Sequence, residues 1–296
     1  GENQRVDAGI DWSKSLSGST MDIQSMKSAG DNGTVLIGMA RGFDIDNCND
    51  QSDLRYYTIF FFDSDGVCQW FRKTGTVNQT SWNNMFSDLE IGNDGIFVKG
   101  STEGDIQIAG DSITEHRTFI AKISFTGIWQ WAVELPENYW EYSSSGLPMS
   151  SNNQGGLIIS RSYSGNSAQF GSIQTSTTTD SSGGTFVAGI DSTGTYTWAN
   201  TIGDQCYTPS SLEVIGQDSI FWIGTSCTNY NGNLYTSGPL TTVELSFSGE
   251  EVRSQTTQID GIGQYWFYPH HSMLNSNDSL IITGKMDIPE PEPRRQ

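Results

Sequence analysis

The sequence has few basic residues and no long apolar run. It contains 15 Lys and Arg against 34 Asp and Glu in 296 residues, which gives a formal net charge of −19. Because such a surface repels phosphate groups and anionic lipids, we expect no nucleic-acid partner. No segment approaches the roughly 18 consecutive apolar residues of a spanning helix, so we expect no membrane span. A basic start followed by an apolar segment is also missing, and any secretion signal is expected to lie outside these residues.

Histidine is scarce as well. The chain has His116 and the adjacent pair His270 and His271, which alternation along a strand would point to opposite sides. This disfavours a two-histidine metal site. No Ser-His-Asp series and no phosphate-binding glycine loop between a strand and a helix can be identified. We therefore expect no catalytic residues, and no cofactor other than a calcium ion considered below.

Turn-forming residues, by contrast, are abundant. The chain contains 33 glycines together with many Ser, Thr, Asn and Asp. These residues serve turns and compete with helical hydrogen bonding. The hydrophobic residues make up 35% of the chain and are spread evenly along it. This composition predicts an all-β protein made of many small packed units.

Four segments share one frame, in which an apolar strand, a glycine turn and a second strand follow one another. The copies, each with the residue at its tryptophan position, are 118–127 with Trp131, 185–194 with Trp198, 58–66 with Trp70 and 242–249 with Val252. In the three copies with a tryptophan, the glycine precedes it by four residues. The frame indicates an internal repeat.

A second element recurs once per unit, as a short apolar run that ends in or near a glycine. If Leu36, Phe97, Leu157, Phe221 and Ile281 are equivalent, the spacings are 61, 60, 64 and 60 residues. Asn-Gly and Asp-Gly turns between apolar runs are typical of hairpins. Each unit then has four short strands, A to D, with a variable loop between B and C. This predicts a β-propeller of about five four-stranded blades.

We expect a single propeller domain over residues 1–288. Its repeats are 17–74, 75–135, 136–202, 203–257, and 258–288 together with 1–16. The N-terminal strand thereby completes the last blade, although strand C of that blade is missing. Residues 289–296 form a Pro/Glu tail that we expect to be a linker or an edge, because alternate prolines cannot donate to a central ladder.

The repeated frame reads Phe-[Ile/Val]-Ala-x-Ile-[Ser/Asp]-x-x-Gly-x-x-x-Trp, followed by strand A and an apolar strand B that ends in Gly. This pattern resembles the SBBP-type β-propeller repeats of bacteria and archaea, over nearly the whole chain and most strongly in the second and third units. The resemblance implies a propeller fold and an extracellular setting. It brings no shared catalytic motif, so it assigns no function.

The four cysteines form no Cys-x-x-Cys pair, which favours disulfides over a zinc site. Cys206 and Cys227 lie symmetrically about a predicted A–B turn, where paired residues come within disulfide reach. Cys48 and Cys68 can pair if the B–C loop drapes down the edge strand. Disulfides imply an oxidising compartment, secreted or at the cell surface. Glycosylation sequons at Asn32, Asn78 and Asn277 agree with that setting.

Two segments before predicted strands A are rich in aromatic residues. They contain Tyr139, Trp140, Glu141 and Tyr142 in one case, and Tyr265, Trp266, Tyr268 and His270 in the other. Aromatic faces beside carboxylates suit a glycan, and Tyr and Trp also dominate protein interfaces. A second interpretation is that these aromatics fill the central channel. The recurrent tryptophans Trp12, Trp70, Trp131 and Trp198 are instead expected to pack the outer part of each blade.

The B–C loop of the first unit contains four acidic residues within ten positions: Asp44, Asp46, Asp50 and Asp53. Carboxylate oxygens are the ligands that Ca²⁺ prefers, so this loop is a candidate calcium site. A solvated acidic loop is the alternative. Asp63-Ser-Asp-Gly66 also resembles a calcium-binding fragment, but its place in the repeat predicts a simple turn.

Together these features favour an extracellular, non-catalytic module that binds a glycan or a protein, or that assembles with itself at the cell surface. One alternative is a polysaccharide-active enzyme that uses carboxylates at the channel mouth, such as Glu134 or Glu141 with Asp260. Another alternative is a subunit of a cell-surface filament or layer.

Overall fold

The fold is described from a computed structural model of the 296-residue chain. The structure describes residues 20–52, 56–73, 85–102, 104–114, 117–136, 147–163, 165, 167–176, 184–202, 207–215, 219–226, 228–230, 233–235, 240–257, 266–274 and 280–287. All regular structure in these residues is β-strand, apart from one short 3₁₀ turn at Gly30–Asn32. The predicted all-β class is confirmed.

The first sheet has four antiparallel strands in the order β1-β2-β5-β6. Its strands are β1 (Thr20–Ser28), β2 (Thr34–Arg41), β5 (Tyr56–Phe62) and β6 (Cys68–Lys73). Between β2 and β5 the chain forms a separate hairpin from β3 (Phe43–Ile45) and β4 (Cys48–Asp50). The B–C connection predicted as a variable loop is therefore itself a two-stranded element.

The next three sheets repeat this plan. The second, ordered β7-β8-β11-β12, contains β7 (Met85–Ile91), β8 (Ile96–Ser101), β11 (Thr118–Ile123) and β12 (Trp129–Glu134), with a hairpin of β9 (Ile106–Ile108) and β10 (Asp111–Ile113). The third contains β13 (Met149–Ser151), β14 (Leu157–Tyr163), β17 (Gly184–Ile190) and β18 (Tyr196–Thr201), with a hairpin of β15 (Ser167–Phe170) and β16 (Ile173–Ser176). The fourth contains β19 (Tyr207–Ile215), β20 (Ser219–Ser226), β23 (Leu240–Ser246) and β24 (Glu251–Thr257), with a hairpin of β21 (Thr228–Tyr230) and β22 (Asn233–Tyr235).

The last described strands, β25 (Trp266–Leu274) and β26 (Leu280–Asp287), form an antiparallel pair. Each sheet lies inside one predicted repeat. The predicted closing strand at 1–16 and the tail at 289–296 lie outside the described residues. The chain divides into two compact units, Gly1–Ile91 with Gly95–Ala132, and Gly92–Asp94 with Val133–Gln296.

The glycines that end the second strands face a bulge in the neighbouring first strand. In four sheets the first strand has one extra residue immediately after the residue that pairs with this glycine. The glycines are Gly38, Gly100, Gly224 and Gly284. A Cβ atom at Gly38 would lie 2.5 Å from the carbonyl oxygen of Asp22 in β1. At Gly38, glycine is therefore required by the close approach of the bulged strand.

Strand pairing corrects two of the positions taken as equivalent in the second strands. Equivalent residues of the second strands can be identified by their partners in the third strands. The partner used is the residue five positions before the glycine of the turn that follows the third strand. The second-strand residues that pair with it are Val35, Phe97, Ile158 and Phe221. Val35 and Ile158, not Leu36 and Leu157, thus correspond to Phe97. Because side chains alternate between the two faces of a strand, Leu36 lies on the opposite face from Val35 and packs in a different cluster.

One turn joins the third and fourth strands in all four four-stranded sheets. It begins at Asp63, Ser124, Asp191 or Ser246 and ends at a glycine with φ between 74° and 87°. The glycine N–H donates to the carbonyl of the first residue at 2.9–3.2 Å. The first side chain accepts the N–H four residues ahead at 2.9–3.1 Å. The prediction that Asp63-Ser-Asp-Gly66 is a turn is confirmed.

The residues that follow this turn pack against the same turn in the next sheet. Trp70 Nε1 donates to the Phe125 carbonyl, and Arg72 Nε donates to the Gly127 carbonyl, each at 2.8 Å. In the other compact unit, Asn200 Nδ2 donates to the Gly249 carbonyl at 2.8 Å, and Trp198 lies against Gly249. The predicted packing role is confirmed for these two tryptophans.

Trp131 is also buried, at 5% exposure, and packs against Phe97 within the second sheet. Trp12 lies outside the described residues.

The fourth sheet has an arginine at the position of the recurrent tryptophan. Arg253 pairs with Glu244, and at the corresponding place in the third sheet Trp198 pairs with Gly189. Arg253, not Val252, therefore occupies the tryptophan position. Arg253 follows its turn glycine by four residues, as Trp70 and Trp198 do, and the same register shift occurs in all three sheets.

In the first three sheets the small hairpin contacts the fourth strand, which is an edge of the sheet. The first hairpin is joined to β6 by the Cys48–Cys68 disulfide. Asp111 Oδ2 of the second hairpin accepts the Ala132 N–H of β12 at 2.9 Å. The carbonyl of Ser176 in the third hairpin accepts the Thr201 hydroxyl of β18 at 3.4 Å. The hairpins thus cover strand edges that would otherwise be open to pairing with another chain.

Candidate functional site

A groove with a volume of about 570 Å³ lies between the third and fourth sheets. Its walls are formed by residues 174–176 of β16, residues 199–202 at the end of β18, Leu245, and residues 249–251 after the β23–β24 turn. All of these residues belong to one compact unit.

The first wall is the β15–β16 hairpin, which is held by its apolar side. Phe170 is fully buried and packs edge-on against Phe186 and Tyr196, with ring centroids 4.6 and 5.3 Å apart. Because side chains alternate along a strand, the neighbouring polar residues of the hairpin face outwards. Gln174 and Ser176 are exposed, and they present an amide and a hydroxyl beside the groove.

The second wall is the turn between β23 and β24. Its position is fixed by the Asn200 amide, which donates to the Gly249 carbonyl at 2.8 Å. Gly249 has a φ of 80° and is pressed against the Trp198 ring, so a larger residue would not fit there. The chain then continues through Glu250 and Glu251, whose exposed side chains place two carboxylates at the rim.

One buried side chain beneath the groove is Thr175. It is only 5% exposed, and none of the described residues forms a hydrogen bond with its Oγ1. The adjacent Thr201 hydroxyl is engaged, because it lies 3.3 Å from the Tyr163 hydroxyl and 3.4 Å from the Ser176 carbonyl. Because the Thr175 Oγ1 atom is almost fully covered by protein, a ligand in the groove does not contact this hydroxyl.

The chemistry of the groove is that of hydroxyl, amide and carboxylate groups. None of the described residues that line it is Lys, Arg or His. Such a surface donates and accepts hydrogen bonds to uncharged polar ligands and repels anions.

The predicted aromatic segments are not part of this groove. Tyr139, Trp140, Glu141, Tyr142 and Tyr265 lie outside the described residues. Trp266, Tyr268 and His270 lie in β25, of which the backbone alone is described. His270 lies at a bulge, where the register shifts between Pro269 and His271. The binding role of these residues stays a prediction.

Three of the four predicted calcium ligands lie in the β3–β4 hairpin. Asp46 Oδ2 accepts the Cys68 N–H at 3.1 Å, and Asp50 Oδ1 forms an ion pair with Lys73 at 2.5 Å. Asp44 is exposed, and Asp53 lies outside the described residues. Within the described part of the chain, no group of three His, Cys, Asp or Glu residues is placed to hold a metal ion. Two of the predicted ligands thus have structural partners, and a calcium site stays a prediction.

The predicted Cys48–Cys68 disulfide is confirmed, and its hairpin lies against the edge strand as expected. Cys206 and Cys227, the other predicted pair, lie outside the described residues. Asn32 is exposed in the 3₁₀ turn, where a sequon is accessible to modification, whereas Asn78 and Asn277 lie outside the described residues.

Of the carboxylates considered for an enzyme, Glu134 alone is described; Glu141 and Asp260 are not. Glu134 ends β12, and its backbone carbonyl accepts the Tyr196 hydroxyl at 3.0 Å. Burial, together with the nearby Glu134 carboxylate, raises the pKa of Tyr196 above its usual range. This arrangement keeps the tyrosine protonated as a hydrogen-bond donor.

Sequence reasoning missed the groove. A signal for its first wall was present, because Ser167-Ala-Gln-Phe and Ile173-Gln-Thr-Ser alternate apolar and polar residues on either side of Gly171. The other two walls come from β18 and from a turn about 50 residues further along the chain, which no local pattern brings together.

No protein-family model matches the sequence, and no curated protein matches it. Solved structures that match parts of this chain include an ACO/RPE65 chimera, with 8% identity and a TM-score of 0.43 over 90% of this chain and 56% of the other. The cobalt-substituted ACO of Synechocystis gives 10% identity and a TM-score of 0.38 over 86% and 51%. A protein of unknown function from Bacteroides caccae gives 11% identity and a TM-score of 0.32 over 81% and 83%.

The chain thus spans about half the length of the two ACO structures. Similarity at this level does not carry over any activity, substrate or metal to this protein. In the described residues there is no helix with the length and apolar character needed to cross a membrane.

Proposed function

We propose that this protein is an extracellular, non-catalytic β-propeller of about five blades that binds a glycan or a protein at the cell surface. We place its ligand site in the groove between the third and fourth sheets. The observation that carries this proposal is the 570 Å³ groove itself, lined by hydroxyl, amide and carboxylate side chains from two sheets. Binding sites of this kind are concave and have a few fixed polar groups.

The proposed propeller is supported by the regularity of the sheets. Four four-stranded sheets share one turn, and two pairs of successive sheets share one mode of packing against that turn. The pair β25–β26 supplies the first two strands of a fifth blade. In this proposal residues 1–16 complete the fifth blade, as the sequence predicts.

An extracellular setting is supported by the Cys48–Cys68 disulfide, since disulfides persist in oxidising compartments. The exposed Asn32 sequon agrees with it. The resemblance of the repeat to SBBP-type propellers points the same way.

The experiment is a ligand screen with a variant that blocks the groove. The full chain is applied to a glycan array and used to capture proteins from a cell-surface extract. Ser176→Trp places a large side chain at the rim of the groove, and Ser112→Trp places the same side chain on the exposed hairpin of the second sheet. Both variants are checked for native secondary structure by circular dichroism.

We expect at least one ligand to bind the wild-type protein and Ser112→Trp, and to be lost in Ser176→Trp. A ligand that binds all three proteins equally would place the site elsewhere. If neither screen returns a ligand for the wild-type protein, the proposed binding function is wrong.

A further inference from the structure

We propose that the outer edge of strand β24 (Glu251–Thr257) pairs with the same strand of a second copy of this chain, in an antiparallel dimer. β24 is the last strand in the order β19-β20-β23-β24, and in the part of the chain that the structure describes no strand pairs with its outer side. The proposal adds an interaction surface and its partner, and it does not depend on ligand binding in the groove.

The first observation is the exposure of β24. All seven of its residues are exposed, whereas the fourth strands of the other three sheets, β6, β12 and β18, have one exposed residue each. Those three strands are contacted by the small hairpin of their own sheet, at Cys68, Ala132 and Thr201. An uncovered edge presents N–H and C=O groups that another strand can bind. β24 is therefore an edge at which a further strand fits.

The second observation is that the side chains of β24 do not protect its edge. The strand contains no lysine and no proline, the residues that commonly block pairing at an edge. Its one cationic side chain, Arg253, is directed back across the sheet. The guanidinium forms an ion pair with Glu244 of β23 and lies 6.0 Å from the ring centroid of Phe221 in β20. The Arg253 charge thus leaves the outer edge of the strand accessible.

The third observation is that a regular part of β24 complements itself. Beyond the register shift at the start of the strand, residues 253–257 pair with β23 one to one. When this stretch pairs antiparallel with its copy about Gln255, Ser254 lies opposite Thr256 and Arg253 lies opposite Thr257. No like charges face each other, and pairs of Ser and Thr hydroxyls stabilise neighbouring strands.

The charge of the segment favours a second copy as the partner. Two chains that each carry a formal charge of −19 repel each other over most of their surface. Residues 251–257 are neutral as a segment, because Glu251 and Arg253 cancel, so two copies approach here with less repulsion. Pairing of one strand with its own copy closes a twofold dimer. Such an edge contact is smaller than the roughly 1,200–2,000 Å² of a stable complex, so we expect weak, reversible association.

The experiment measures the mass of the full chain by sedimentation velocity from about 1 to about 300 µM, a range that covers weak association. The test variant Ser254→Lys, Thr256→Lys places lysines opposite each other across the dimer axis. The control Ser112→Lys, Gln130→Lys adds the same charge at two exposed positions of the second sheet. In a second measurement, Gln255→Cys and the control Gln130→Cys are oxidised mildly beside the wild type. Thermal unfolding of every variant is recorded.

We expect the wild type and the control with lysines in the second sheet to dimerise as the concentration rises. The Ser254→Lys, Thr256→Lys variant is expected to associate at least about tenfold more weakly, because like charges then face each other across the pair. Its Tm is expected to match that of the wild type, since both positions are exposed. Gln255→Cys is expected to form a covalent dimer, because the residue on the axis meets its own copy within disulfide reach. Gln130→Cys is expected to stay monomeric.

Three results would overturn the proposal. The first is a wild-type protein that stays monomeric over the whole range of concentration. The second is a dimer that the lysines at Ser254 and Thr256 leave unchanged, because it would use another surface. The third is a Gln255→Cys variant that is trapped no more than Gln130→Cys or the wild type. If the lysine variant fails to fold, the trapping measurement alone decides, because it leaves the charge of β24 unaltered.

Discussion

The hairpins β3–β4 and β15–β16 occupy the same place in the first and third sheets. The first is joined covalently to its edge strand, whereas the third borders a groove. The first hairpin is held by the Cys48–Cys68 disulfide, by the Asp46 carboxylate on the Cys68 N–H, and by the Asp50–Lys73 ion pair. The third hairpin contacts its edge strand without a covalent bond, through the packing of Phe170 on Tyr196 and the hydrogen bond from the Thr201 hydroxyl to the Ser176 carbonyl at 3.4 Å.

This difference shows that sheets with the same strand order can differ at the contact between the small hairpin and the edge strand. The four sheets share their turns and strand order, which are set by glycines and by apolar alternation. The side chains at the junction of hairpin and edge strand differ from sheet to sheet. In the first sheet this junction contains a cystine and an ion pair, whereas in the third sheet small polar residues at the junction border the groove.

The largest effect is expected from removing the disulfide of the first hairpin. The double variant Cys48→Ser, Cys68→Ser is expected to lower the free energy of unfolding by about 3 kcal/mol, because the bond closes a loop with a sequence separation of 20 residues. Denaturant unfolding followed by tryptophan fluorescence measures this. Ligand affinity at the groove is expected to be unchanged. A loss much smaller than that, or a change in ligand affinity, would contradict the separation of the two regions.

The next effect concerns the ion pair of the same hairpin. Lys73→Met is expected to cost about 2 kcal/mol, because it leaves the Asp50 carboxylate buried without its charged partner. Asp50→Asn in the Lys73→Met background is expected to recover part of this loss, since it removes the uncompensated charge. A double-mutant cycle by denaturant unfolding gives the coupling between the two residues. Additive losses would show that the pair contributes nothing to the junction.

A smaller effect is expected at the wall of the groove. Asn200→Ala removes the hydrogen bond to the Gly249 carbonyl and is expected to cost about 1 kcal/mol of folding free energy. Ligand affinity is expected to fall as well, because the turn that carries Glu250 and Glu251 is no longer held in place by the hydrogen bond from Asn200. Thermal unfolding and calorimetry on the same sample separate the two effects. Unchanged affinity with reduced stability would mean that the turn does not shape the site.

The smallest effect is a pH dependence at the turn before β18. Burial tends to raise the pKa of Asp191, but hydrogen bonds from the Thr193 hydroxyl and from the Thr195 N–H outweigh it and lower the pKa below its ordinary value of 3.8. A carboxylate with a lowered pKa stabilises the fold above its unfolded pKa, and this stabilisation is lost as the pH falls through the folded value.

The free energy of unfolding of the wild type is therefore expected to drop more steeply below pH 4 than that of Asp191→Asn, in urea titrations from pH 6 to pH 2. The matched control is Ser246→Ala, which alters the same turn in the fourth sheet without removing a titrating group. Parallel pH profiles of Asp191→Asn and wild type would contradict the stabilising role of the ionised carboxylate.

Much of the fold was predictable because its determinants are local. The turn glycines Gly66, Gly127, Gly194 and Gly249 all have positive φ, and each lies in a short pattern that the sequence displays directly. The Cys48–Cys68 disulfide was predictable because the strand order brings the B–C connection to the edge strand.

Register was harder to predict. Strands such as Thr34–Arg41 are buried on both faces, so an apolar run gives no sign of which residue faces which side. The sequence interpretation therefore places Leu36 one position out of phase. Val252 was wrong as the tryptophan position because it follows Gly249 by three residues, whereas Arg253 follows it by four. The groove could not be predicted, because its walls meet by packing of segments that are distant in the sequence.

Hydrogen–deuterium exchange of the full chain, with and without a saturating saccharide, tests the assignment of the binding site most directly. We predict that the ligand slows exchange in residues 173–176, 199–202 and 249–251, and leaves the β3–β4 hairpin unchanged. Protection confined to residues 137–146 or 258–271 would contradict this, because it would place the ligand on the aromatic segments and leave the groove empty.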